Sequence, residues 1–316
     1  MKIVFMGTPD LAATVLDKLI QSEHEILAVV TQPDKPKGRG KQVQYTPVKE
    51  LALKYHIPVY QPHKVKEEEF LKKLKEINPE CIVVAAFGQI LSKAIIDLPK
   101  FGCINVHASL LPKYRGAAPI QWSIINGEEK TGVTIMYMDV GIDTGDMIMK
   151  EEVIIEPKET AGSLNDKLAG CGGDLLLKAL KAIELGTAVR EKQNDDEATY
   201  VKMLDKSLGH IDFTHSAIEI ERLIRGLNPW PSAYSFLDGK SFKIWDASVL
   251  PGESENLKDG NIGKPGEILE IDKDSIIVQT GKGRLVLHEV QLEGKKRMTV
   301  DAFIRGFEIP KGTILS

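Results

Sequence analysis

Asn105 and His107 stand two residues apart in the run Asn105-Val106-His107-Ala108-Ser109-Leu110-Leu111-Pro112, and this is where the sequence first offers chemistry. In an extended chain alternate side chains share a face, so the amide and the imidazole project together while Val106 packs the other way. An amide N–H can hold a developing oxyanion, and an imidazole can carry a proton. Asp143 lies between Gly141 and Gly145 in a later polar stretch. Flanking glycines allow a tight backbone excursion, which could bring the carboxylate to the same crevice and orient the ring. Taken singly, each residue has a plainer structural reading. A strand-end histidine is commonly just hydrogen-bonded, and an aspartate between glycines is commonly a turn residue. Together they point to acyl or one-carbon transfer, or amide hydrolysis, at the end of a strand.

The elements that must position these residues alternate between short apolar runs and amphipathic segments, the pattern of a mostly parallel sheet with crossover helices. Strands are expected at 2–6, 26–31, 81–86, 103–107 and 133–138. Helical spacing joins Leu11, Val15, Leu16, Leu19 and Ile20, then Val48, Leu51, Ala52 and Tyr55, then residues 67–77, and a long helix from about 160 to 185. The fold class is α/β, a doubly wound Rossmann-like domain with its ligand at the carboxyl ends of the strands. A polar, acidic stretch follows, and after it a helix at 216–225 and short β-rich runs at 241–245, 266–271, 275–280 and 284–290. That second part reads as a small antiparallel β-barrel, OB-like as one candidate. The expected division is a catalytic domain over 1–190, a linker over 191–206 and a barrel domain over 207–316.

Composition excludes several classes. With 316 residues, 42% hydrophobic and 27% charged, the chain is an ordinary globular one, and no apolar run approaches the roughly 20 residues needed to cross a bilayer. Cys81, Cys103 and Cys171 lack Cys-x-x-Cys spacing, so neither a disulfide framework nor a zinc site is expected, and a cytoplasmic setting is. The first turn, Gly7-Thr8-Pro9-Asp10, lacks the Gly-x-Gly-x-x-Gly of dinucleotide enzymes. A net charge of −4 means that any RNA contact must rest on a local patch.

The Asn105 to Pro112 run, with Tyr114-Arg115-Gly116-Ala117-Ala118-Pro119 behind it, resembles the signature of the formyltetrahydrofolate-using formyltransferases. The resemblance extends along nearly the whole chain, through Phe5-Met6-Gly7-Thr8-Pro9-Asp10, Thr31-Gln32-Pro33-Asp34, Ala85-Ala86-Phe87-Gly88-Gln89-Ile90-Leu91, Gly132-Val133-Thr134-Ile135-Met136 and Asn228-Pro229-Trp230-Pro231. It implies Asn105, His107 and Asp143 as the catalytic trio. It also implies a folate pocket lined by Ser109, Leu110, Leu111, Pro112, Phe87, Gly88, Ile90 and Asp139, with 10-formyltetrahydrofolate as co-substrate and no metal. Phe213 stands where the family commonly has tryptophan, a change in packing.

Members of this family formylate different amines, among them glycinamide ribonucleotide and amino sugars, and some hydrolyse the formyl group instead. Two features favour the methionyl amine of initiator tRNA. Asp34-Lys35-Pro36-Lys37-Gly38-Arg39-Gly40-Lys41 carries Lys35, Lys37, Arg39 and Lys41 on a glycine-rich loop suited to a phosphate backbone. The extra β-rich domain has no counterpart in a one-domain small-molecule enzyme. Against this, residues 207–316 hold 14 Lys and Arg against 16 Asp and Glu, so their contacts must come from a strip such as Lys240, Lys243, Lys295, Lys296 and Arg297. The chain is expected to act as a monomer, with no DNA or membrane partner.

Overall fold

The computed structural model describes residues 1–37, 42–250 and 263–316, with two compact units. The first comprises Met1–Pro119, Lys130–Ile154 and Asn165–Val201, and the second Ile120–Glu129, Ile155–Leu164 and Lys202–Ser316.

The first unit is built on a seven-stranded sheet. Its order is Met147–Ile154, Lys130–Tyr137, Cys103–His107, Cys81–Ala85, Lys2–Gly7, Glu25–Val30, Val59–Tyr60. The five strands from Cys103–His107 to Val59–Tyr60 are parallel. Lys2–Gly7 and Cys81–Ala85 are almost wholly buried apolar runs, as strands covered on both faces must be. Lys130–Tyr137 runs antiparallel to Cys103–His107, and Met147–Ile154 antiparallel to Lys130–Tyr137. This last strand escapes the sequence reading because its centre, Lys150-Glu151-Glu152, faces solvent and only Met147 and Val153 are buried.

The helices follow their apolar stripes. Asp10–Ile20 buries Leu11, Ala12, Val15, Leu16 and Leu19, and Pro9 is its N-cap residue. Pro47–Lys54 begins with Pro47 in its first turn, and the Thr46 side chain accepts a hydrogen bond from the Lys49 N–H.

The polar stretch expected as a linker over 191–206 divides near its middle. Glu191 exchanges backbone hydrogen bonds with Met147 at 2.8 and 2.9 Å, and Tyr200–Val201 pairs in parallel with Arg115–Gly116. Residues up to Val201 therefore pack as part of the first unit, and the second resumes at Lys202.

The second unit holds an antiparallel sheet in the order Ala233–Leu237, Lys240–Val249, Arg284–Leu292, Ile276–Gln279, Ile268–Ile271, with Met298–Thr299 added beside Arg284–Leu292. Residues 313–316 hydrogen-bond to both edges. Thr313 O accepts from Ile268 N at 2.8 Å, Leu315 N donates to Gly266 O at 2.8 Å, and Ser316 O accepts from Phe236 N at 2.8 Å. The edges that would otherwise expose unpaired backbone are thus joined. Helix Ala217–Gly226 starts from a reciprocal capping box between Ser216 and Glu219 and packs Ile220 and Ile224 into the core. Phe213 is buried in the same core.

Candidate active site

Cys103–His107 is buried along its whole length, so its last polar residues are held rigidly at the carboxyl end of a central strand. Asn105 and His107 are 9% and 6% exposed, and their partners across the sheet are Met136 and Thr134. One nitrogen of His107, Nε2, lies 3.0 Å from the carbonyl oxygen of Tyr114. A carbonyl only accepts, so Nε2 carries a hydrogen and Nδ1 is the nitrogen left to face the site. Nδ1 sits 3.7 Å from Oδ2 of Asp143, and Nδ2 of Asn105 donates to Oδ1 of the same carboxylate at 3.4 Å. The expected trio therefore converges.

How Asp143 gets there is not obvious from the strand order. Tyr137 ends its strand beside Ile104, so residues 138–146 must double back to bring Asp143 to His107. The return is tight. Asp143 adopts φ +54°, a left-handed conformation that aspartate tolerates better than most residues. A Cβ at Gly145 would lie 1.9 Å from the Tyr137 carbonyl oxygen, so only glycine fits. Asp139 caps the loop, its Oδ1 accepting from Gly141 N at 2.9 Å and Thr144 Oγ1 at 2.6 Å.

The carboxylate is also fixed from outside its loop. Gly116 N donates to Asp143 Oδ2 at 2.9 Å. Gln193 Nε2 donates to the backbone carbonyls of Asp143 and Gly145 at 2.7 and 2.9 Å. Gln193 Oε1 accepts from Nε of Arg115 at 3.0 Å, and the Arg115 side chain is only 1% exposed. Its other nitrogens donate to Tyr200 Oη at 2.9 Å and Asp195 Oδ1 at 2.7 Å. Burial pulls the guanidinium down, but these two partners outweigh it and hold Arg115 above its ordinary range. Arg115 stands in the signature run without a role assigned to it, and Gln193 and Asp195 are absent from the residues singled out in the sequence. Their separation of about 80 positions gives no local signal.

The residues expected around a folate differ in what they can offer. Ser109 and Leu111 are buried, Ser109 Oγ donating to Lys113 O at 2.7 Å and Leu111 packing with Met136 and Met147. Leu110 and Pro112 are half-buried. Phe87 is buried, and its carbonyl accepts from Thr8 Oγ1 and Gln32 Nε2 at 3.2 and 3.1 Å. Gly88 sits at φ +80°, and Ile90 beyond it is 79% exposed. Asp139 is exposed, and the adjoining Val140 and Ile142 are exposed apolar side chains. Apolar surface left open beside polar backbone suits a flat heterocycle. Among the described residues no group of three or more His, Cys, Asp or Glu is placed to hold a metal ion.

Of the basic residues expected to meet RNA, Lys35 and Lys37 lie on the strand Lys35–Lys37, which pairs with Gln42–Gln44, while Arg39 and Lys41 fall outside the described residues. The base of this segment is anchored by Lys49, which pairs with Asp34 and donates to Gln61 Oε1 at 2.8 Å. Asp34 feels burial pushing its carboxyl up, but the hydrogen bonds from Lys49 and Gln61 prevail and hold it below the usual range. In the second unit Lys243 Nζ and the Arg297 guanidinium lie 5.4 and 4.7 Å from the Trp245 ring centre.

Comparison with known proteins gives this geometry its context. Residues 1–180 match the family described as Formyl transferase, and residues 203–308 match Formyl transferase, C-terminal domain. A methionyl-tRNA formyltransferase of Agathobacter rectalis is 56% identical over 316 residues, covering 100% of both chains, and one of Clostridioides difficile is 55% identical over 315 residues, again covering 100% of both. A solved sugar 3N-formyl transferase, crystallised with dTDP and 5-N-formyl-THF, has the same fold at 22% identity, with a TM-score of 0.66 over 94% of this chain and 99% of that one. The chain belongs to the formyl transferase family, and the two relatives described above, each matched from end to end, are named methionyl-tRNA formyltransferase.

Proposed function

We propose that this protein transfers the formyl group of 10-formyltetrahydrofolate to the α-amine of methionyl initiator tRNA, in the cytoplasm, and that Asn105, His107 and Asp143 carry the reaction. The observation that supports it most is the meeting of these three side chains at one strand end, in a chain 56% identical to a protein named for that activity.

In this reading the unprotonated methionyl amine attacks the formyl carbon, a C–N bond forms, and the carbonyl oxygen becomes an oxyanion. Asn105 Nδ2 and the protonated Nδ1 of His107 donate to that oxygen. Asp143 takes the proton from the attacking nitrogen and passes it towards the leaving N10 nitrogen as the old C–N bond breaks. The chain's own residues thus supply charge stabilisation and positioning, the two largest contributions available to acyl transfer. Ser109, Leu110, Leu111, Pro112, Phe87, Gly88, Ile90 and Asp139 frame the folate, whose faces the exposed Ile90, Val140 and Ile142 would cover. We assign residues 1–190 to catalysis. Lys35, Lys37, Arg39 and Lys41 are assigned to the acceptor end of the tRNA, and residues 207–316 to its body. The Lys243–Trp245–Arg297 group offers a stacking surface flanked by cations, which suits that second role.

The test is formylation of charged initiator tRNA beside glycinamide ribonucleotide and an amino-sugar nucleotide, each with 10-formyltetrahydrofolate. Salt-sensitive transfer to the tRNA alone is expected, with His107→Ala or Asn105→Ala losing on the order of 100- to 1000-fold in single-turnover rate. Transfer to a small amine, or release of formate alone, would overturn the acceptor. Near-normal rates in folded variants would overturn the trio.

A further inference from the structure

We infer that Gln193 is a positioning residue for the reaction. Its side-chain amide holds the backbone of Asp143 in the one conformation that presents the carboxylate to Asn105 and His107. This rests on the assignment of Asp143 as a catalytic group.

Asp143 is at φ +54°, in the sparsely populated left-handed region, and a non-glycine residue stays there only where the surroundings hold it. Its own loop supplies part of the constraint through the Asp139 cap and the close approach at Gly145. The rest comes from a segment 50 positions away. Gln193 Nε2 reaches two carbonyls at once, Asp143 O at 2.7 Å and Gly145 O at 2.9 Å, and so clamps the main chain on both sides of residue 144. A glutamine head can rotate, but this one is fixed at its other end, where Oε1 accepts from Nε of Arg115 at 3.0 Å.

Arg115 is immobilised in turn. Its side chain is 1% exposed, its two terminal nitrogens donate to Tyr200 and Asp195, and its backbone N donates to Thr199 O at 2.8 Å. The next residue, Gly116, sends its N–H to Asp143 Oδ2 at 2.9 Å. The two tethers of Asp143, one on its main chain through Gln193 and one on its carboxylate through Gly116, therefore spring from the same fixed point. Gln193 touches none of the reacting groups, and its effect passes through Asp143.

The experiment is a double-mutant cycle in the full chain, read by single-turnover formyl transfer from 10-formyltetrahydrofolate to charged initiator tRNA. Gln193→Ala is expected to lower the rate on the order of 10- to 100-fold, the scale of a displacement near 1 Å, with KM for either substrate moved little. In an Asp143→Ala background the same change is expected to cost less than about 3-fold, because the group it positions is gone. Gln193→Glu keeps an acceptor for Arg115 and the side-chain length but replaces the NH2 group, with both its donors, by one oxygen facing the two carbonyls. It is expected to be as slow as Gln193→Ala while still melting in a single cooperative transition. Full activity of Gln193→Glu, or equal losses in both backgrounds, would overturn the inference. Wild-type activity in Asp143→Ala alone would instead overturn the role given to Asp143.

Discussion

Oδ2 of Asp143 lies 3.7 Å from Nδ1 of His107, on the side of the ring opposite the nitrogen bound to the Tyr114 carbonyl. The imidazole is thus held between a backbone acceptor and a carboxylate, and only the carboxylate side faces the site. Asp143→Asn keeps the shape of the side chain and removes its charge. It also replaces one oxygen by an NH2 group, which accepts nothing, so either Gly116 N or Asn105 Nδ2 loses its acceptor. The expected result is a fall in single-turnover rate of about 100-fold or more, with folate binding nearly unchanged. Rapid-quench measurement at saturating substrates checks this, and a loss confined to KM would contradict it.

The loop that carries Asp143 makes a separate prediction about stability. A methyl group at Gly145 would meet the Tyr137 carbonyl oxygen at 1.9 Å, a backbone atom that cannot rotate away. Gly145→Ala must therefore shift the turn, at a cost of roughly 1–3 kcal/mol. The same shift moves the carbonyls that Gln193 holds. Urea unfolding should show a lower midpoint with an unchanged slope, and turnover should fall more steeply than stability. Unchanged turnover in a destabilised protein would mean that the loop tolerates the displacement.

Some of this site was legible in the chain and some was not, for reasons of distance and polarity. Cys103–His107 could be read because a strand buried on both faces is a continuous apolar run, and its two polar members stand out at a spacing of two. Asp143 could be read because glycines flank it. The tie between Gln193 and Arg115 could not, because it joins residues 78 positions apart and one of them lies in a polar stretch that looks like a linker. Hydrophobic periodicity marks what is buried as apolar surface, and here the segment is held by side-chain hydrogen bonds and a two-residue strand pairing. The strand Met147–Ile154 was hidden for the same reason, its middle being charged and solvated.

Lys243 and Arg297 beside the Trp245 ring give a prediction for the second unit. Its overall charge is slightly negative, so the RNA-binding role assigned to it must be local. Replacing both cations by alanine should raise KM for charged tRNA, and the dependence of log affinity on log salt should become shallower by about one for each phosphate no longer neutralised. Single-turnover rate at saturating tRNA should stay near wild type, because neither residue approaches the trio in sequence or belongs to the same unit. Titrations at several salt concentrations check this. An unchanged slope would place the RNA on another face.

Cys81 supplies a pH dependence with a definite sign. Burial pushes its thiol up to about 12, burial likewise raises Cys103, and Cys171 is pushed up to about 11 by burial with the Glu151 carboxylate adding to it. In the unfolded chain thiols ionise near ~8.5. Between that value and about 11 to 12 the unfolded state therefore loses protons that the folded state keeps. A raised folded-state value stabilises fully below ~8.5, and the contribution is lost as pH rises through that window. Urea midpoints measured at pH 7, 8.5 and 10 should fall on the alkaline side. The decline should be shallower in Cys81→Ala, even if that variant starts from a lower midpoint at pH 7. Alkylation of native protein at pH 8 should leave Cys81 and Cys103 unmodified until denaturant is added, since both are buried as neutral thiols. Parallel pH curves for the two proteins would show that the alkaline loss comes from other groups, and rapid native alkylation of Cys81 would show that its strand opens.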